Sequence, residues 1–204
     1  MMSAGKLRLY AHTRLSSAEA LLDRARQGDE EAFTLLFEHN ANSVFNFIYR
    51  LIGERETAED LTQETFVRAY RKLGALRLHD DTQLSTWLFS IAKNVARESF
   101  RSRRTTQKRI ALEDPAALTL SGNEPQPDEQ LWDKEINRIV QRALETLDDD
   151  KRLVFTLRVF QQQTYEEIAI VTGFSLPKLK ADLNRARTQM RSLLRPYLEE
   201  NHEL

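Results

Sequence analysis

Apolar residues at three- and four-residue steps run through most of this chain. Between Asp29 and Ile52 they are Phe33, Leu36, Phe37, Val44, Phe47, Ile48, Leu51 and Ile52, a spacing that puts a stripe on one face of an α-helix. No run alternates apolar and polar residues as a half-buried strand does. Only six glycines and five prolines break up the 204 residues. Such a chain buries its apolar surface by packing helix on helix, and the expected fold is all-α.

Local signals set the expected helix ends. Gly53 closes the first long stripe. Thr57 is placed to cap the next helix, with Asp60 three residues on as its capping-box partner. Leu61, Phe66, Ala69 and Leu73 form the buried side of that helix, which closes near Gly74. After the polar RLHDDTQ, Ser85 is expected to start a helix along Leu88, Ile91, Ala92 and Val95. From Thr105 to about Glu129 the pattern stops. EDPAALTLSGNEPQPDEQ holds three of the five prolines and several acids, the composition of a linker. The expected organisation is an N-terminal extension (1–17) and two small helical domains (18–104 and 130–204), with residues 105–129 as a flexible joint.

The second half resumes with Trp132, Ile136, Ile139, Val140, Ala143, Leu144 and Leu147, then Leu153, Val154, Leu157 and Phe160. In TYEEIAIVTGFSLPKLKADLNRAR, Thr164 caps a short helix and Glu167 completes a capping box. Ile168, Ala169 and Val171 give that helix its buried side. Gly173 permits a sharp turn and Ser175 caps the last helix. Pro177 falls in its first turn, where no intrahelical donor is lost. Leu176, Leu179, Leu183, Ala186, Met190 and Leu193 are expected to face the core, leaving Lys178, Ala181, Asp182 and Arg185 outward. A short helix, a tight glycine turn and a longer basic helix match a helix-turn-helix whose second helix enters the major groove. A helical hairpin inside a core has the same outline.

Charge sharpens the choice. The net charge of -1 hides two basic stripes. Arg97–Arg109 holds six basic residues against one acid, and Lys178–Arg195 holds six against Asp182 alone. Two separate stripes suit a two-point contact with a polyanion; solvated helix faces are the plain alternative. The absence of cysteine excludes disulfides, thiol redox sensing and cysteine-ligated zinc. MMSAGKLRLYAHTRLSS lacks a long apolar core, and no apolar stretch approaches the roughly 18 residues of a membrane span. A cytoplasmic protein without membrane insertion is expected. His12, His39, His79 and His202 are scattered outside any metal-ligand or nucleophile motif, so neither catalysis nor a cofactor is expected.

Five segments in order carry a resemblance. GDEEAFTLLFEHNANSVFNFIYRLIG resembles region 2.1 of the extracytoplasmic-function (group IV) sigma factors of bacterial RNA polymerase, and AEDLTQETFVRAYRKL resembles region 2.2. STWLFSIAKNVARESFRSRR is similar to regions 2.3 and 2.4. LETLDDDKRLVFTLRVFQQQTYEEIAIVTGFS, followed by LKADLNRARTQMR, resembles region 4. The likeness covers about Ala18 to Leu198, and the combination in this order is far more specific than any one segment.

The resemblance implies a sigma factor that binds core RNA polymerase, recognises −10 and −35 promoter elements, helps melt the promoter and starts transcription of a stress or envelope-response regulon. It implies that Asp60, Gln63, Glu64 and Arg71 contact core polymerase, with Leu61 and Phe66 in the core. It implies that single-stranded −10 DNA meets Arg77, His79, Asp80, Asn94, Arg97, Arg101, Arg103 and Arg104. Trp87, beside Leu88 and Ile91, reads as core rather than as a stacking platform. Duplex −35 DNA is implied to meet Lys178, Lys180, Ala181, Asp182, Asn184, Arg185 and Arg187. An anti-sigma factor that masks both faces is the implied regulator. The family's last helix usually reads like TVKSRLxRAR, whereas this one reads KLKADLNRAR, with Ala181 and Asp182 in place of a serine and an arginine. Aspartate cannot hold a phosphate but accepts from a cytosine amino group. The rival reading is a conventional helix-turn-helix regulator that binds duplex operators as a dimer; it gives the first half of the chain no promoter-melting role.

Overall fold

The structure is a computed structural model and describes residues 20–74, 81–113 and 131–199, with side chains described over 20–74, 83–101 and 135–197. Every regular element among them is helical: α1 (residues 20–26), α2 (Glu30–Ile52), α3 (Arg55–Leu73), α4 (Asp81–Glu113), α5 (Leu131–Glu145), α6 (Asp149–Phe155), α7 (Tyr165–Thr172) and α8 (Leu176–Glu199). The all-α expectation holds.

The helix ends follow from local chemistry. Asp29 caps α2, its carboxylate accepting the Ala32 N–H at 3.0 Å. Gly53 closes α2 at φ 82°, in the left-handed region, and a Cβ there would stand 2.5 Å from Glu145 Oε1. The left-handed backbone calls for glycine at this corner, whereas the flexible Glu145 side chain can give way. The cap of α3 is Glu54 rather than Thr57. The Glu54 carboxylate accepts from the N–H groups of Glu56 and Thr57 at 2.8 and 2.9 Å, and the Thr57 hydroxyl also donates to it. A carboxylate reaches two orphan donors at once and outcompetes a hydroxyl. Helix α4 starts at Asp81, ahead of the expected Ser85, and runs through Glu113, past the expected break at Thr105. Residues 105–113 contain no glycine or proline, so nothing in them breaks a helix.

Helices α2, α3 and α4 form one bundle. Val44, Phe47 and Ile48 meet Ala58, Phe66 and Ala69 from α3, and Leu88, Ala92 and Val95 from α4, all buried. Aromatic pairs tie the layers, with Phe37 4.4 Å from Phe66 and Phe47 5.1 Å from Phe89. The second bundle packs α5, α6, α7 and α8 around Leu144, Val154, Leu157, Ile168, Val171, Leu179 and Leu183. Between α6 and α7 the chain widens into a π-helical turn at Thr156–Phe160, where the Gln161 N–H reaches back to the Thr156 carbonyl at 3.2 Å. The expected capping box of α7 is present in both halves: the Glu167 N–H donates to Thr164 Oγ1 at 3.2 Å, and the Thr164 N–H to Glu167 Oε2 at 2.6 Å. Gly173, at φ 76°, makes the turn into α8.

The two bundles rest on one another. Helix α7 lies along α4, and Lys93 Nζ donates to the Val171 carbonyl at 2.6 Å. The Thr86 hydroxyl donates to Gln163 at 3.2 Å, both residues being buried. Arg50 donates to Asn137 at 2.8 Å and covers the Phe160 ring at 4.7 Å.

Three apolar positions and one polar position differ from the sequence expectation. Leu176 and Leu193 are 42% and 38% exposed, and Ile136 is 46% exposed. At 24 residues, α8 is about 36 Å long and outruns α5, whose 15 residues span about 22 Å. Its terminal leucines therefore remain partly in water while Leu179, Leu183, Ala186 and Met190 are buried. Ile136 sits in the early part of α5, ahead of the buried stretch that starts at Gln141. Asp182, expected outward, is 6% exposed. Leu183→Ala is expected to destabilise the protein by about 2–5 kcal/mol, and Leu193→Ala by under about 1 kcal/mol. Urea unfolding that gave the two variants equal midpoints would contradict this placement.

Candidate nucleic-acid interface

The first surface is α8. Lys180, Asn184, Arg185 and Arg187 are exposed and Ala181 is half-buried. Lys180 lies 5.9 Å from the centre of the Tyr165 ring, which Arg158 approaches at 5.2 Å. Arg158 also donates to the Gln163 carbonyl at 2.7 Å. These contacts gather cations around the N-terminal end of α7, beside the basic face of α8. Arg158 and Tyr165 gave no sequence signal because their roles depend on the turn between α6 and α7.

Two residues expected to meet DNA, half-buried Lys178 and buried Asp182, are bonded to each other. Lys178 Nζ lies 2.6 Å from Asp182 Oδ2 and 2.9 Å from Asp150 Oδ2, and 4.3 Å from the centre of the Phe174 ring. Hydrogen bonds to Asp182 and Asp150 raise the Lys178 pKa and keep the ammonium charged. The expectation that Asp182 faces DNA is corrected: its carboxylate is turned onto Lys178, because a buried charge requires a partner.

The second surface is the outer face of α3. Asp60, Gln63 and Arg71 are exposed, and so are Val67 and Tyr70, at 43% and 47%. These residues recur at three- and four-residue steps, so one face mixes charge with two large apolar groups. The Tyr70 ring also meets Phe33 of α2 edge-on, with the ring centres 4.8 Å apart, so Val67 is the apolar group of this face with no such ring contact. Glu64 is half-buried and pairs with Arg68 at 2.7 Å, while Arg68 reaches Glu98 of α4 at 2.8 Å. Glu64 therefore helps to fix α3 against α4.

On α4, Asn94, Arg97 and Arg101 are exposed at steps of three and four. Lys93 beside them is half-buried, and burial first, then Arg97, lowers its pKa. Trp87 is half-buried against the core, as its neighbours suggested. Arg103 and Arg104 lie on α4, but their side chains fall outside the described residues, as do Arg77, His79 and Asp80 altogether. Among the described residues no group of three or more histidines or carboxylates is arranged to hold a metal, and no helix is long and apolar enough to cross a membrane.

The Sigma-70 region 2 family matches residues 36–106, which hold the α3 and α4 surfaces, and Sigma-70 region 4 matches residues 137–190, which hold the helix-turn-helix. The RNA polymerase sigma-H factor of Pseudomonas aeruginosa is 31% identical over 189 residues, covering 89% of this chain and 96% of its own length. The ECF RNA polymerase sigma-E factor of Haemophilus influenzae is 28% identical, over 88% of this chain and 96% of its own. In fold, the chain is similar to the sigma factor RpoE of Bartonella quintana, solved in complex with the anti-sigma factor NepR. That match has a TM-score of 0.63 at 24% identity, over 80% of this chain and 96% of that one. CnrH, solved in complex with the cytosolic domain of CnrY, gives a TM-score of 0.63 at 23% identity, over 88% and 97%. The chain belongs to the extracytoplasmic-function sigma factors of RNA polymerase. It directs transcription initiation, with core RNA polymerase and promoter DNA as its partners.

The hydrogen bond from Arg68 holds the Glu98 carboxyl below its ordinary value of 4.5. A carboxylate with a lowered folded-state pKa contributes stability above its unfolded value and loses it as pH falls through the folded one. Glu98→Gln is therefore expected to be less stable than wild type at pH 6, with the gap closing below about pH 4. Denaturation midpoints at the two pH values check this, and a gap independent of pH would contradict it.

Proposed function

We propose that Asp60, Gln63, Val67, Tyr70 and Arg71 on α3 dock on core RNA polymerase, with Glu64 holding that face in place. Asn94, Arg97, Arg101, Arg103 and Arg104, with Arg77, His79 and Asp80, meet single-stranded −10 DNA. Lys180, Ala181, Asn184, Arg185 and Arg187 meet the −35 duplex. Residues 18–104 and 130–204 act as the two functional units. The observation that carries this reading is that one chain presents an exposed mixed face on α3, an exposed basic face on α4 and a capped helix-turn-helix with a basic outer face. A conventional operator-binding regulator leaves the first two unexplained. The role is regulatory rather than catalytic, it is exercised in the cytoplasm where polymerase and chromosome are, and the target is a stress or envelope-response regulon.

The packed arrangement of the two bundles serves as the resting form. Helix α7 and the residue pair before it meet α4 at Lys93 and Thr86, Lys93 being next in sequence to Asn94 and one turn from Arg97. Reading two separated promoter elements requires the bundles to part. Hydrogen bonds from Thr86, Lys93, Arg50 and Arg152 cross between them, beside an apolar core shared by both bundles. Two relatives of like fold were solved with anti-sigma partners, and an anti-sigma factor that holds this packed form is the regulator proposed here.

Transcription with purified core polymerase, followed by sequencing of the start sites, tests the assignment. Promoter-specific starts that depend on the chain are expected, and duplex binding without any initiation would contradict it. Neutralising Arg101, Arg103 and Arg104 together should weaken promoter binding across sequences. It should also flatten the log–log salt dependence by roughly 0.7 to 0.9 for each phosphate no longer neutralised. An unchanged slope would return this stripe to plain solvated surface.

A further inference from the structure

Lys178 is the third residue of α8, in the turn that a recognition helix points at the groove. A lysine there ordinarily holds a phosphate. In this chain its ammonium is surrounded instead by Asp182 Oδ2 at 2.6 Å, Asp150 Oδ2 at 2.9 Å and the face of Phe174 at 4.3 Å. The three groups come from α8, α6 and the turn before α8, so the lysine is held from three sides. One positive charge meets two negative ones, and the cluster carries a net charge of 1 − 2 = −1.

Burial of one acid in the cluster favours the arrangement. The Asp182 side chain is only 9% exposed, and a lysine that swung out to a phosphate would leave that carboxylate buried and uncompensated. The Lys178 and Asp150 side chains are 39% and 49% exposed, so it is the burial of the Asp182 carboxylate that favours keeping the lysine where it is. The same residue explains the departure from the family pattern. Asp182, which stands where the resembled pattern has an arginine, turns inward and takes a neighbouring cation with it.

We propose that Asp182 and Asp150 withhold Lys178 from the −35 phosphates. Helix α8 then engages the duplex through Lys180, Asn184, Arg185 and Arg187. Phosphate contacts add affinity without sequence information. Removing one from the first turn lowers the sequence-independent share of binding, which raises the weight of the base-edge contacts. Asp182 is thus a positioning residue for specificity rather than a base reader. This inference rests on the reading that α8 enters the −35 duplex.

The test measures promoter binding by the reconstituted holoenzyme between about 50 and 200 mM salt, on fragments with the native and a scrambled −35 element. Lys178→Gln/Asp182→Asn removes both charges of the pair and strands neither; its salt slope is expected to match wild type. Asp150→Asn/Asp182→Asn frees the lysine; its slope is expected to steepen by about 0.9, with reduced preference for the native element. Adding Lys178→Gln to that variant should restore the wild-type slope. The proposal is overturned if the charge-neutral pair flattens the slope by about 0.9, since Lys178 would already be on a phosphate. It is also overturned if adding Lys178→Gln to the doubly neutralised variant changes nothing. Should that variant fail to fold, the charge-neutral pair decides alone. A wild-type holoenzyme indifferent to the −35 element would instead refute the reading of α8 itself.

Discussion

One guanidinium ties the second bundle together and joins it to the first. Arg152 Nε donates to the Leu144 carbonyl at 2.9 Å, and Nη2 donates to those of Glu145 and Leu147 at 2.9 and 3.1 Å. Its Nη1 donates to the Leu51 carbonyl at 2.9 Å. The last carbonyls of any helix lack intrahelical partners, and here the ends of α5 and α2 share one side chain. Three of these bonds fix the corner between α5 and α6, on which α8 packs. The fourth crosses to the other bundle. Only arginine offers a planar fork with enough donors for this, and the point charge of lysine would not reproduce it.

Around that crossing bond, polar contacts join the bundles beside an apolar core that is continuous through both. Lys93 caps the C-terminal end of α7 by donating to Val171, where a helix terminus favours a cation. Ser43 donates to Gln161 at 3.2 Å and Arg50 to Asn137 at 2.8 Å. Burial lowers the Arg50 pKa, and its Nη1 lacks a hydrogen-bond partner. A contact that buries a charge incompletely paired costs free energy that water would return on opening. Such a surface holds a compact form and still allows its release. In this packed form the helix-turn-helix and the α4 surface lie side by side, Lys93 of α4 bonding to α7.

Much of this was legible in the sequence because it is local. The capping box at Thr164 and Glu167, the turns at Gly53 and Gly173, and the buried run Leu179, Leu183, Ala186 and Met190 follow from periodicity and cap chemistry within a few residues. The misses are of other kinds. Glu54 displaced Thr57 as a cap because its carboxylate reaches two orphan donors at once, and glutamate is outside the residue set by which caps are ordinarily read. Helix α4 passed Thr105 because charged residues without glycine or proline sustain a helix even where the apolar stripe lapses. Asp182 faced inward because Asp150, 32 residues earlier, supplies the other half of a cation site that spacing alone does not reveal. Lys93 and Arg152 act across the fold, over 78 and 101 residues, and no window of sequence contains both ends of those bonds. Val67 and Tyr70 were visible as apolar residues on α3, but their exposure depends on which face α2 and α4 leave uncovered.

The central claim is that the packed bundles are a resting form which core polymerase opens. The chain has no cysteine, so one introduced pair reports a single distance without competing labels. Glu38→Cys on α2 and Arg142→Cys on α5 stand at exposed positions in different bundles. Spin labels on that pair, read by pulsed electron–electron double resonance, give the distance in the free chain and in the holoenzyme. The account predicts one narrow short distance in the free chain and a clearly longer one on core polymerase. The same distribution in both states would contradict it.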